Sequence, residues 1–263
     1  MTALLALGGG GFTCKPGDPP LDDLILELSG KSEPRILFLP TAGGDATAQI
    51  QSFYATYGDR PCRAEHLSLF RLEDSLRSLR DIVLDQDVIY VGGGSMRNLL
   101  AIWSAHGLDT LLVEAYRSGV VLAGLSAGAM CWFQGGITRS SGLPEPFAGL
   151  GLLEHSLSVH ADGDPLRLPV FLEAVRNGDL PGGWAVDDGA GLLFRDGRLE
   201  RIVSARPGAG AVRADAVGGE LVRNRVAGEL LESKSRVSAK VDDVIRELRA
   251  VRELRASHQR RDH

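Results

Sequence analysis

Apolar residues in the first half of the chain fall into short blocks of two kinds. Runs that are apolar almost throughout, at Ala3 to Leu7, Arg35 to Leu39, Val88 to Val91 and Val120 to Ala123, read as buried strands, with a weaker one at Ala64 to Leu69. Between them Asp22 to Leu28, Ala46 to Tyr57, Leu72 to Leu84, Asn98 to Ala105 and Thr110 to Arg117 carry helical spacing. Strands alternating with helices predict an α/β fold with a mainly parallel sheet covered on both faces. Ligands bind such sheets beyond the carboxyl ends of the strands. Three glycine-rich loops, after Leu7, Val91 and Ala123, are therefore expected together on one edge.

The pattern changes after about Trp184. Ala190 to Phe194, Leu199 to Ser204, Ala211 to Ala216 and Glu220 to Val222 read as short strands, with hairpin signals at Asp196-Gly197 and Gly218-Gly219. They predict an antiparallel β extension on the same domain, residues 1–228. In residues 229–263, Val241, Val244, Ile245, Leu248, Val251 and Leu254 are spaced among charges, which predicts an amphipathic terminal helix over Val237 to Ala256.

Composition works by exclusion. A chain of 263 residues holds one large domain or two small ones. The net charge of -5, with signs mixed, argues against a nucleic-acid partner. Cys14, Cys62 and Cys131 are scattered and form no Cys-x-x-Cys pair, so reduced thiols, a cytoplasmic setting and no metal site are expected. Met1 to Leu7 lacks a basic leader and reads as a first strand, and no apolar run is long enough to span a membrane.

Chemistry enters at Val120 to Ala129. An apolar run ends in Gly124-x-Ser126-x-Gly128 and small residues follow, the written form of a strand, a cramped turn carrying one serine, and a helix. A serine hydroxyl becomes a useful nucleophile only with a base in reach, most often histidine. Of six histidines, His66 lies in an early strand, His106 closes a helix, and His258 and His263 are in the tail. His155 precedes the strand-like run Leu157 to Val159, whereas His160 ends it and enters Ala-Asp-Gly-Asp, on the edge of the elbow. The backbone of Ala127 and of Gly92-Gly93-Gly94 supplies candidate oxyanion donors. No Gly-x-x-x-x-Gly-Lys follows, and neither glycine loop fits a dinucleotide fingerprint, so no cofactor is expected.

Tyr90 to Leu100 (Tyr-Val-Gly-Gly-Gly-Ser-Met-Arg-Asn-Leu-Leu) and Gly124 to Phe133 (Gly-Leu-Ser-Ala-Gly-Ala-Met-Cys-Trp-Phe), with the later histidine, resemble the peptidase E family of serine peptidases, whose relatives include aspartyl dipeptidases and cyanophycinases. The similarity covers roughly Ala3 to Phe194. It implies a three-layer α/β sandwich like that of class I glutamine amidotransferases, a flavodoxin-like arrangement with serine in place of their cysteine. It also implies Ser126 as nucleophile, His160 as base, and Gly93, Gly94 and Ala127 as the oxyanion hole. Ser95 stands where the family often has asparagine.

The third triad member departs from the aspartyl dipeptidases, which place an aspartate in the loop after the elbow helix. Here that loop, Ile137 to Pro146, has Glu145 as its only carboxylate. Cyanophycinase-like relatives use glutamate in this role, which makes Glu145 the expected acid, with Asp162, Asp164, Asp187 and Asp188 in reserve. Arg167 resembles a substrate arginine of the aspartyl dipeptidases, with Arg139 and Arg97 as alternatives. The resulting expectation is a cytoplasmic serine peptidase that cleaves short peptides from the amino end, with acidic residues as candidate substrates. It has no nucleic-acid or membrane partner, and a homodimer through the late strands or terminal helix stays open. Hydrolysis of a non-peptide ester or amide, and a degenerate binding protein of the same fold, are the alternatives.

Overall fold

The structure, a computed structural model, describes residues 1–14, 19–74 and 76–232. Two sheets carry it. In the first half, strands β1 (Ala3–Leu7), β2 (Arg35–Leu39), β3 (Arg63–His66), β4 (Val88–Val91) and β5 (Val121–Leu125) alternate with helices α1 (Pro19–Glu27), α2 (Thr47–Tyr57), α3 (Leu79–Leu84), α4 (Met96–His106) and α5 (Leu108–Arg117). These five strands are parallel neighbours in the order β1-β5-β4-β2-β3. The region expected as a helix from Leu72 to Leu84 is instead a short 3₁₀ turn, Leu69–Asp74, followed by α3.

The chain then turns through a one-turn helix, α6 (Ala127–Met130), into a second sheet. That sheet contains β6 (Phe133–Thr138), β7 (Glu145–Ala148), β8 (Leu153–Ser158) and β9 (Gly183–Val186), with α7 (Arg167–Asn177) between the last two. The late strands divide between the sheets. β10 (Ala190–Arg195) runs antiparallel beside β1 and β11 (Arg198–Ser204) antiparallel beside β10, and β14 (Glu229–Leu230) lies parallel to β11, completing an eight-stranded sheet. β12 (Gly210–Val217) and β13 (Glu220–Ala227) extend the second sheet antiparallel to β9, in the order β13-β12-β9-β8-β6-β7. The expected antiparallel extension is thus two hairpins on two sheets. Strands β6, β7 and β9 and helix α7 are additional to the elements that the sequence predicts. One compact unit runs from Met1 to Leu231 and includes β14. The terminal helix expected over Val237 to Ala256 lies outside the described residues.

The period-two geometry of β1 separates the two cores. Ala3, Leu5 and Leu7 meet α1, α2 and an aromatic cluster in which Phe12 packs edge-on against Phe38 at 5.3 Å and Tyr90 at 5.2 Å. Leu4 and Ala6 share a cluster with α4, α5 and the inner face of the second sheet through Leu153, Leu157 and Val186. A third cluster joins the second sheet to α7 through Ile137, Phe171 and Val175. Phe12 matters to the site because it fastens the glycine run Gly8 to Gly11 into the aromatic cluster, at the carboxyl end of β1.

The elbow is built by close backbone approach. A Cβ on Gly124 would lie 1.9 Å from the carbonyl oxygen of Gly128, and one on Gly128 would lie 2.4 Å from that of Val91. Both obstacles are backbone and cannot swing aside. Gly124→Ala is therefore expected to lower stability by about 3 kcal/mol or more, read as a shift of the urea midpoint with an unchanged slope.

Candidate active site

Three successive carbonyls at the end of β1 organise the site. Leu7 accepts from the N–H of Ser126 at 3.2 Å, Gly8 from the N–H of His160 at 3.2 Å, and Gly9 from the N–H of Gly189, beside Asp188, at 3.0 Å. Ser126 follows β5 of the central sheet, whereas His160 and Asp188 follow β8 and β9 of the second. The end of β1 is where the two sheets meet.

Ser126 holds φ 54° and ψ −117°. Such a conformation costs a non-glycine residue about 1–3 kcal/mol and persists where the surroundings enforce it. It turns Oγ to within 2.9 Å of Nε2 of His160. On the other side of the ring, Nδ1 lies 2.5 Å from Oδ1 of Asp188. An ionised Asp188 keeps the proton on Nδ1 and leaves Nε2 to accept the serine proton. The His160 hydrogen bond holds the Asp188 carboxyl below its usual range against the opposing effect of burial, and the cations of Arg206 and Arg167 add to it.

Missing side chains shape this pair. A Cβ on Gly9 would lie 2.0 Å from Oδ1 of Asp188 and 2.8 Å from Nδ1 of His160. The sequence placed the Gly8 to Gly11 loop on this edge without a role, and its position after β1 was the only available signal.

The oxyanion segment lies on the other side of Ser126. A Cβ on Gly93 would be 3.2 Å from that of Ser126, and Gly94, at φ 147°, is pressed against the carbonyl of Ala42. The N–H groups of Gly92 and Ser95 donate to Leu39 and Ala42 at 3.0 and 2.8 Å. Among the described residues no backbone carbonyl accepts from the N–H of Gly93, Gly94 or Ala127. These three donors are free for an oxyanion beside the nucleophile.

Glu145 does not stand beside His160. The segment Ile137 to Pro146, expected to be a loop, is a hairpin whose arms are β6 and β7, with Thr138 paired to Glu145. The Glu145 carboxylate accepts from the Ser141 hydroxyl at 2.5 Å and from Nε of Arg97 at 3.3 Å, and these partners hold its carboxyl below the usual range. Arg97 also lies over the ring of Phe147, 4.4 Å from its centre. Strand register commits Glu145 to the hairpin, and the place on Nδ1 of His160 belongs to Asp188, one of the four reserves. Of the others, Asp187 is buried, pairs with Arg225 and accepts from the N–H of Gly210 at 2.9 Å. Asp162 accepts from the backbone N–H of Asp188 at 2.8 Å. His155 lies within β8, its N–H bonded to Gln134 at 3.1 Å.

Arg167 is not in a loop. It opens α7, is buried, and donates from Nη1 to the carbonyl of Ile137 at 2.6 Å. Its Nε and Nη1 of Arg139 reach the same oxygen of Asp164, at 3.2 and 3.0 Å. Burial pulls the Arg167 guanidinium below its usual range. Burial pushes the Asp164 carboxyl up, but the Arg139 hydrogen bond and the other donors outweigh it and leave the group lowered. Arg139, Asp164 and Arg167, with His160 and Asp188, line a cleft of about 420 Å³. A wider depression of about 600 Å³ near Gln134, Leu180 and Asp215 has no nucleophile and base together. Among the described residues no group of three or more His, Cys, Asp or Glu is gathered to hold a metal ion, and no helix is long and apolar enough to cross a membrane.

Known proteins resemble this chain in sequence and in fold. The model of peptidase family S51 matches residues 4–202. An uncharacterized peptidase of Bacillus subtilis (strain 168), YgaJ, is 46% identical over 213 residues, covering 81% of this chain and 92% of the relative. The crystal structure of a peptidase from an acI-B1 actinobacterium superposes with a TM-score of 0.66 at 19% identity, over 89% of this chain and 97% of the other. A putative peptidase E protein from Listeria monocytogenes EGD-e gives 0.54 at 17% identity, over 86% and 100%. Both structural likenesses support the fold alone.

The geometry separates two acids by experiment. Glu145→Gln is expected to leave kcat within about twofold, as for a surface change away from the chemistry. Gly9→Ala is expected to lower kcat by about 100-fold through displacement of the His160–Asp188 pair. Steady-state kinetics of the two folded variants, side by side, check both.

Proposed function

Because the chain belongs to peptidase family S51 and is a serine-type peptidase, we propose that it cleaves short peptides from the amino end, with preference for an acidic residue there, through a Ser126–His160–Asp188 triad. The observation that carries the triad is the alignment of Ser126 Oγ, both ring nitrogens of His160 and the Asp188 carboxylate at 2.9 and 2.5 Å. Oγ attacks the peptide carbonyl while Nε2 takes its proton. The N–H groups of Gly93, Gly94 and Ala127 hold the oxyanion. His160 then protonates the leaving amine as the C–N bond breaks. A water molecule, deprotonated by the same nitrogen, hydrolyses the acyl-enzyme and frees Ser126. Asp188 fixes the ring tautomer and stabilises the imidazolium.

The acid preference rests on Arg139 and Arg167. Both share one oxygen of Asp164, so a substrate carboxylate entering the cleft meets two cations tied to a single carboxylate. The size of the cleft suits a residue or two rather than a folded chain.

Ser126→Ala is expected to lower kcat by about 10⁶-fold and Asp188→Asn by about 10⁴-fold, with folding retained; full turnover in either would overturn the triad. Arg139→Gln is expected to raise KM about 10-fold for dipeptides with a leading Asp or Glu and to leave neutral dipeptides unaffected. A panel that turns over aryl esters and no peptide would favour a non-peptide substrate. The lowered pKa of Asp188 also fixes the sign of a stability effect. Its contribution is present above the unfolded aspartate value of about 4 and is lost as pH falls through the folded value. The stability gap between wild type and Asp188→Asn should therefore close on acidification, as measured by urea unfolding against pH.

A further inference from the structure

The family match ends at residue 202, yet the site draws on residues beyond it. Arg206 lies in the turn between β11 and β12. Its Nη2 donates to the backbone carbonyl of Asp188 and lies 3.4 Å from Oδ2 of Asp162. The other oxygen of Asp162, Oδ1, accepts from the backbone N–H of Asp188 at 2.8 Å. Arg206 and Asp162 thus grip both backbone polar groups of one residue, the one whose side chain meets His160. The stem of Arg206 also packs on Gly189: a Cβ there would lie 2.4 Å from its Nε, and Gly189 holds φ 72°.

We propose that Arg206 and Asp162 are positioning residues for the His160–Asp188 pair, and that the segment after β11 is a working part of the active site. The proposal rests on the triad reading above. Asp188 sits on a short turn between β9 and β10, where rotation about its own backbone would swing the carboxylate off Nδ1. The missing side chain of Gly9 shapes the contact from one side only, and its carbonyl holds Gly189 rather than the backbone of Asp188 itself. Next to it, Asp187 is locked by Arg225 of β13 and by the N–H of Gly210, so the preceding peptide is also tied to the late strands. Two arginines from outside the matched region therefore anchor two adjacent aspartates, one by its side chain and one by its backbone. Neither Arg206 nor Asp162 lines the cleft, and their contacts with the backbone of Asp188 give the route by which they act on the chemistry.

That route gives the test. Arg206→Ala in the full chain is expected to lower kcat on an Asp- or Glu-leading dipeptide by about 10- to 100-fold, with KM little changed. Asp162→Asn should act in the same direction, and Arg206→Lys should recover part of the loss. The deciding measurement is the same substitution in an Asp188→Asn background. With the carboxylate already removed, Arg206→Ala should cost little more, because residues acting through one group are not additive. An equal loss in both backgrounds, or full kcat in both Arg206→Ala and Asp162→Asn, would overturn the proposal. If Arg206→Ala fails to fold, Asp162→Asn and Arg206→Lys carry the same cycle. Activity retained in Ser126→Ala would instead overturn the triad itself, an outcome the Arg206 variants cannot mimic.

Discussion

Three carbonyls in a row hold this protein's site together. Leu7, Gly8 and Gly9 accept from Ser126, His160 and Gly189, and these donors lie at the ends of strands from two different sheets. Backbone hydrogen bonds of this kind are short-range and directional, so they position three side chains in a way that packing alone would not. The carbonyls stay in place because Phe12 anchors the loop in the aromatic cluster while β1 is paired on both sides, to β5 and β10. Ser126, His160 and Asp188 depend on one strand end, and the fold has to be complete before any of them is in place.

The site uses strain and close approach together. Ser126 and His160 both hold positive φ, a conformation other residues adopt cheaply only as glycine. Each is fixed by a backbone bond to β1. Of the glycines around them, Gly124 and Gly128 stand where a methyl group would meet backbone, Gly9 where it would meet the His160–Asp188 pair, and Gly93 where it would meet the side chains of Leu125 and Ser126. Two of the residues that hold positive φ are thus the hydrogen-bonded pair of the cleft, and the surrounding glycines let the backbone come close to them.

The hydrogen-bond partner of His160 follows from the same architecture. The loop after the elbow helix is drawn into the second sheet as a hairpin, and Glu145 is spent on Arg97 and Ser141. That leaves the end of β9, parallel to β8 and next to it in the sheet, as the natural source of a partner for His160. Adjacent parallel strands deliver their following residues to the same edge, so His160 and Asp188 arrive side by side although 28 positions separate them.

Much of this was legible in the chain. The alternating apolar blocks determined the parallel half of the central sheet, because buried strands and amphipathic helices leave distinct periods. The elbow, His160 and the Gly93–Gly94 segment were readable because each depends on local residue types beside a strand end. Local pattern did not show β6, β7 and β9 of the second sheet, which are short, or the helix that Arg167 opens. Nor could it choose among five carboxylates for the histidine, since every one sat in a plausible loop. That choice was decided by strand pairing and by the meeting of two sheets at β1. Those are contacts between segments distant in the chain, and a hydrogen bond 2.5 Å long is set by their packing rather than by the residues on either side.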